Sequence, residues 1–223
     1  MSQWTEHAAK WGDCQRCPLA QQRDRICLAR GTVPADIVFV GEAPGASEDA
    51  IGQPFVGPAG KLLDEIVVRS VGHTSSKCGI PHIRLAWTNL VCCFPREAKA
   101  RGDNEPADKE IEACEPRLIE FVNLCRPKLI VCVGALAVRW IDHEDTIKCV
   151  DIDHPAYILR MPLAQRQMAL QRAVVILRNA VEDVLQSNQE FQEWRNGGHA
   201  SSETSTDRLR REFTEAEERD IPF

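Results

Sequence analysis

The stretch DIVFVGEAPGASEDAIGQPFVGPAG, from Asp36 to Gly60, decides the fold. Its apolar run Ile37-Val38-Phe39-Val40 breaks abruptly into a loop rich in Gly, Pro and acids. A parallel strand buried on both faces reads as such a run, and open α/β sheets hold ligands just past the C-terminal ends of their strands. Gly41, Pro44 and Gly45 set a tight turn around Glu42, and Pro54-Phe55 places an aromatic ring on a stiffened loop. Lys61 to Arg69 follows as a helix with Leu62, Leu63, Ile66 and Val67 on one face. An ordinary strand–loop–helix carries the same pattern, so its meaning depends on what surrounds it.

The alternation continues. Ile83 to Val91 is an apolar strand with Thr88 and Asn89 toward its end. Asn is disfavoured in strands, so its amide either serves a ligand or caps a turn. Cys92 and Cys93 follow, then Phe94-Pro95 and the charged loop REAKARGDNEP. Asp108 to Leu124 has helical spacing in Ile111, Cys114, Leu118, Ile119 and Val122, with Asp108 and Glu110 favouring its N-terminus. Lys128 to Gly134 is another buried strand, and Ala135 to about Ile141 a helix. Lys148 to Ile152 is a fourth strand running into His154-Pro155-Ala156-Tyr157-Ile158-Leu159-Arg160. A long helix from about Leu163 to Leu185 closes the domain, and a short one over residues 3 to 11 opens it. This order specifies a three-layer α/β/α domain with a central four-stranded parallel sheet over residues 1–195. Residues 196–223 read as a flexible acidic tail.

A chain of 223 residues can bury a sizeable core, and 43% hydrophobic with 27% charged residues is ordinary for a globular protein. No apolar run is long enough to span a bilayer, and MSQWTEHAAKWGDC lacks a signal-peptide core; a cytoplasmic location is expected. Ten cysteines in a reducing compartment imply metal ligands plus small buried residues instead of disulfides. Cys14-Gln15-Arg16-Cys17-Pro18 suits a turn aiming two thiolates at one metal, with a redox pair as the alternative. The net charge of −6 argues against a generally sticky nucleic-acid binder but leaves room for a local basic patch. From Ser201 onward acids exceed bases by three, half of that charge.

Seven pieces in order carry a resemblance: CQRCP, DIVFVGEAPG, GQPFVGPAGKLLDE, TNLVCCFP, the helix holding EACEP, RPKLIVCVG and HPAYILR. Together they resemble the uracil-DNA glycosylase superfamily, in particular its iron–sulfur-containing family-four branch, from Cys14 to about Leu185. The resemblance implies that Cys14, Cys17, Cys93 and Cys114 hold a 4Fe–4S cluster. Four thiolates suit such a cluster or a structural zinc, and Cys92 competes for the third place. Cys27, Cys78, Cys125, Cys132 and Cys149 read as buried small residues.

The activity implied is hydrolysis of the bond between uracil and deoxyribose in DNA, leaving an abasic site. The base must leave the stack to be reached. Phe55 then supplies a stacking face, Asn89 pairs with O4 and N3, and His154 donates to O2 as negative charge builds there. Glu42 is the carboxylate for water or the sugar cation. Gly41, Ala43, Pro44 and Gly45 line the base pocket with Glu48. Glu48 and Asp49 either shape the side facing base C5 or are plain helix-start acids. Pro155 to Arg160 forms a loop entering the groove, where Tyr157, Ile158 or Leu159 fills the vacated stack and Arg160 meets a phosphate.

Some features depart from the resemblance. The connection HTSSKCGIPH and the loop after Cys93 are long, and no His stands between Cys92 and Cys114, which argues against covalent trapping of the base. No lysine occupies a motif position for a Schiff base, so a monofunctional glycosylase acting as a monomer is expected. A larger modified pyrimidine, such as hydroxymethylated or glucosylated cytosine in phage DNA, is the alternative substrate. A non-catalytic DNA- or partner-binding protein is the alternative of another class. The ending Asp220-Ile221-Pro222-Phe223 resembles the acidic tip of bacterial single-stranded-DNA-binding proteins, which implies docking on a replication or repair partner; a plain acidic tail reads the same way.

Overall fold

The computed structural model describes residues 2–71, 83–96, 105–141 and 147–186. The connection around Cys78, most of the charged loop after Cys93, and the tail with its C-terminal motif lie outside the described residues.

Five strands form one sheet: β1 Arg30–Gly31, β2 Ile37–Gly41, β3 Leu85–Asn89, β4 Leu129–Val133 and β5 Lys148–Ile152. Their order is β1-β3-β2-β4-β5. The last four named are mutually parallel, as expected from the sequence, with Ile37 in register with both Leu85 and Leu129. The difference is β1, which adds an antiparallel edge through Arg30↔Trp87. Two residues are too few to show a period, so the sequence gives no sign of it.

The helices are α1 Gln3–Trp11, α2 Ala46–Ile51, α3 Pro58–Val71, α4 Asp108–Cys125, α5 Ala135–Trp140, α6 Pro155–Arg160 and α7 Leu163–Gln186. Alternating side chains of the buried strands face opposite layers. Ile37 and Phe39 pack with α3 and α7, whereas Val38 and Val40 pack with Leu118 and Phe121 of α4 and Leu136 of α5. Phe39 stacks on Trp87 across the strands at 5.4 Å between ring centroids. In the first layer, Ala173 and Ala180 of α7 let it approach α3 closely, and the buried Ser70 hydroxyl donates to Ile66 O (2.6 Å) and Val174 O (3.1 Å). Among the described residues, no helix is long and apolar enough to cross a membrane.

Two short helices of six residues each complete the set: α2 agrees with the reading of Glu48 and Asp49 as helix-start acids, whereas α6 stands where the sequence reading expects a loop. The segment after His154, read as a loop, is α6: Pro155 stands at its first position, where its missing N–H costs nothing.

Candidate active site

All four parallel strands deliver their C-terminal ends to one edge, the place where the chain reverses direction across the sheet between β2 and β4. Glu42 follows β2, Asn89 ends β3, Gly134 follows β4 and His154 follows β5. There a cleft of about 870 Å³ is lined by Glu42, Asn89 and His154 together with Phe55 from the α2–α3 connection.

Close backbone approach sets this geometry. A methyl placed on Gly41 would lie 2.5 Å from Phe55 Cζ and 2.6 Å from Asn89 Oδ1, so the ring and the amide both rest against a bare Cα. Phe55 takes φ = 56°, a left-handed conformation that costs an L-residue on the order of 1 kcal/mol. The strain persists because the side chain is buried against Gly41 and its carbonyl is wedged against Gly60, where a Cβ would fall 2.0 Å away. Gly41 thus lies behind the cleft wall, and Pro44 is buried beside it, while Ala43 and Gly45 line the cleft directly.

Gly134 does the same for the other pair. Its φ is +95°, and a Cβ there would lie 2.7 Å from Glu42 Oε1 and 3.0 Å from His154 Cβ. The carboxylate and the imidazole therefore meet over one glycine. Burial, then the nearby Glu105, raises the Glu42 carboxyl, and Arg160 partly offsets this. Burial holds His154 down to about 4, helped by the positive charge of Arg160. His154 caps α6, its Nδ1 accepting from Ala156 N–H at 3.2 Å. An acceptor at Nδ1 and a neutral ring leave the proton on Nε2. The site holds a neutral imidazole with one N–H to donate.

Glu48 and Asp49 act through backbone. Glu48 accepts from Gly45 N–H (3.1 Å), Val56 N–H (3.0 Å) and Gly57 N–H (2.7 Å), which clamps the Gly45 turn to the Phe55 loop. Asp49 accepts from Asp24 N–H (2.9 Å) and pairs with Arg96 at 2.5 Å, tying α2 to the cysteine-bearing segment and to the loop after Cys93. Glu48→Ala would strand three N–H groups, one of them, that of Gly45, in a residue that lines the cleft. A loss of about 2–4 kcal/mol in unfolding free energy is expected by urea denaturation. Glu48→Gln, which keeps one acceptor oxygen, is expected to fall between the two.

At the mouth, Tyr157 and Arg160 line the cleft and Tyr157 is exposed. Pro155 and Ile158 are buried in the core, and Leu159 packs partly against it, so Ile158 has no freedom to enter a base stack. The sequence reading missed Gly134 and Arg172. The sequence pattern places Gly134 at the end of a strand, whereas β4 stops at Val133 and Gly134 caps α5. Arg172 lines the cleft from α7 and lies on the same helical face as Ala169, Ala173 and Ile176, a charge on an otherwise apolar stripe that could have signalled it.

On the opposite side of β3, Cys14, Cys17, Cys93 and Cys114 line a small cavity with Cys92. Arg23 Nη1 donates to Cys93 Sγ at 3.2 Å, and Arg117 Nη2 to Cys114 Sγ at 3.6 Å. Hydrogen bonding from Cys92 and the Arg117 guanidinium draw Cys114 well below an ordinary thiol. Leu28 O, 3.7 Å from Cys92 Sγ, is the alternative acceptor for that one S–H. By their chemistry, soft sulfur donors with two guanidinium groups against them suit a metal centre that carries negative charge, but among the described residues no three Cys, His, Asp or Glu side chains are grouped so as to hold a single ion. Cys27, Cys125 and Cys132 lie elsewhere in the core, each pushed up to about 12 by burial and so inert as thiols.

Comparisons agree with this layout. The model of the uracil DNA glycosylase superfamily matches residues 29–178, which run from β1 into α7 and include every strand. The chain is 35% identical to the type-4 uracil-DNA glycosylase of Pyrobaculum aerophilum over 127 residues, 57% of this chain and 58% of that protein. It is 32% identical to the enzyme of that name from Archaeoglobus fulgidus over 171 residues, 67% of this chain and 79% of the relative. With the Thermotoga maritima protein of the same name it shares 32% identity over 178 residues, 73% and 84% of the two chains. A matched sheet, a cleft at its C-terminal edge and these relatives place the chain in the uracil-DNA glycosylase superfamily.

Proposed function

We propose that this protein is a monofunctional DNA glycosylase that hydrolyses the N-glycosidic bond of uracil and leaves an abasic site. The observation that carries the reading is the convergence of Glu42, Phe55, Asn89 and His154 on one cleft, in a chain similar to proteins named type-4 uracil-DNA glycosylases. A nucleotide turned out of the helix stacks on Phe55, while the Asn89 amide accepts from N3–H and donates to O4. As the bond to the sugar lengthens, negative charge gathers on O2 and positive charge on the sugar ring. The neutral His154 donates its Nε2–H to O2, a role typically worth ~3 kcal/mol. The Glu42 carboxylate orients the attacking water and stabilises the sugar cation. No proton needs to leave His154. Tyr157, Arg160 and Arg172 contact DNA at the mouth, Tyr157 filling the gap left by the base.

Cys14, Cys17, Cys93 and Cys114 are proposed to hold a 4Fe–4S cluster. Arg23 on the Cys93 sulfur, and the Leu28 carbonyl as a partner for Cys92, support Cys93 as the third ligand. The cluster would supply no chemistry to base release; it would cross-link the N-terminal segment, the end of β3 and α4.

The test is base release from single- and double-stranded oligonucleotides carrying uracil, hypoxanthine, thymine opposite guanine, or 5-hydroxymethylcytosine with and without glucose, alongside iron and zinc analysis. Release of uracil with bound iron is expected. Release confined to a modified cytosine would move the substrate to phage-type DNA, and DNA binding with no release would favour a non-catalytic protein.

A further inference from the structure

Arg117 is 1% exposed, yet among the described residues no carboxylate is one of its hydrogen-bond acceptors. Its Nη1 donates to Thr88 Oγ1 at 2.8 Å. Its Nη2 donates to Asn89 O at 2.6 Å, Leu90 O at 2.9 Å and Cys114 Sγ at 3.6 Å. Burying a guanidinium on carbonyls and a hydroxyl is unfavourable unless negative charge stands nearby; the sulfurs of the cysteine cavity would be that charge as metal-bound thiolates, Cys114 Sγ lying 3.6 Å from Nη2. The same side chain therefore has one side on the cysteine cavity and the other on the backbone of the residue whose amide faces the cleft.

The neighbouring bonds extend this link. Thr88 Oγ1 donates onward to Leu28 O at 2.8 Å, fixing the hydroxyl that Arg117 holds. Immediately beyond Asn89, Leu90 N–H donates to Gly41 O at 2.8 Å and Val91 N–H to Glu42 O at 3.2 Å. The carbonyl of Leu90 that Arg117 grips thus belongs to a segment whose amides clasp the start of the Glu42 turn. Arg117 lies three residues after Cys114, on the same face of α4, so a shift of Cys114 moves both together.

We infer that Arg117 is a positioning residue that couples the cysteine cavity to the base-reading end of β3, holding Asn89 and the Glu42 turn in register only while the cavity is charged by its metal. This rests on the assignment of Asn89 to base reading for its kinetic consequence, though the structural coupling stands apart from it.

The experiment compares metal-loaded wild type, wild type stripped with a chelator, Arg117→Lys and Arg117→Met. Three quantities are read: metal content, hydrogen exchange of Leu90 and Val91 against that of Val131 in β4, and kcat and KM for base release. In Arg117→Met, with metal retained, Leu90 and Val91 should exchange roughly tenfold or more faster while Val131 is unchanged; kcat should fall roughly 10- to 100-fold with KM nearly constant, the scale of lost charge-assisted hydrogen bonds. Stripping the metal should speed exchange at the same two amides. Arg117→Lys, which keeps the charge but cannot reach all four acceptors, should fall between. If Arg117→Met does not fold, the lysine variant and stripped wild type decide the matter alone. A uniform rise in exchange across the sheet, or unaltered exchange at Leu90 and Val91 in the folded variants, would overturn the coupling. If wild type releases no base at all, the exchange readout still decides, which separates this inference from the proposed activity.

Discussion

Base release by a His154→Ala variant is expected to run about 10²–10³-fold below wild type, with DNA affinity nearly unchanged. The imidazole is neutral and its Nδ1 is occupied by the Ala156 amide, so the contribution proposed for it is one N–H aimed at charge that exists only in the transition state. Interactions of that kind appear in kcat and hardly in binding. The same residue governs acid stability. Its pKa falls from 6.5 to about 4 on folding, so between those values the unfolded chain binds the proton more readily. The stability associated with a neutral His154 is complete above pH 6.5 and is lost as pH falls toward 4, a total of about 3 kcal/mol. Urea unfolding of wild type should show this slope, and His154→Ala should flatten it. The buried His7, also lowered by desolvation, leaves a residual slope of the same sign. The acid limb of activity belongs elsewhere: Glu42, raised by burial and by Glu105, should set it above the ordinary carboxyl value of 4.5.

A Gly41→Ala substitution is expected to lower base release at least about 10²-fold, although it alters no reacting group. The new methyl would stand 2.5 Å from Phe55 Cζ and 2.6 Å from Asn89 Oδ1, inside the limit of van der Waals contact. Neither neighbour can yield freely. Phe55 is already in a left-handed backbone conformation with its carbonyl against Gly60, and Asn89 is held at its own carbonyl by Arg117. One of the two must therefore leave its place, and the base loses either its stacking face or its reader. Because the backbone of β2 stays paired on both sides, the variant should still fold, at a cost of about 1–3 kcal/mol. Single-turnover kinetics together with thermal unfolding distinguish this local effect from general collapse.

The sheet was legible where strands are buried on both faces. Ile37-Val38-Phe39-Val40 and Leu129 to Val133 have no polar residue to blur them. Long helices were legible to within a few residues for the same reason, an uninterrupted apolar stripe. Glu42, Asn89 and His154 could be picked out because each is a polar residue at a strand's C-terminal end. What escaped depends on contacts between segments far apart in the chain. Nothing adjacent to Gly134 announces that Glu42 and His154 press on it from other strands. Arg117 sits beside a Pro in a helix of mixed charge, and its acceptors are carbonyls 27 and 28 residues away. For Glu48 the sequence offers two readings, helix-start acid or pocket residue, but two of its three amide partners, Val56 and Gly57, come from a loop whose path no local pattern dictates.

Each of the four roles proposed for the cleft is anchored at a different point: the water-handling carboxylate after β2, the reader on β3, the oxyanion donor after β5 and the stacking ring on the connection between α2 and α3. Drift in that connection can reshape the space beside the base while leaving the hydrolytic groups at their strand ends. An architecture divided in this way lets substrate preference evolve separately from bond cleavage, and it marks residues 43–57 as the place where directed evolution toward new bases would begin.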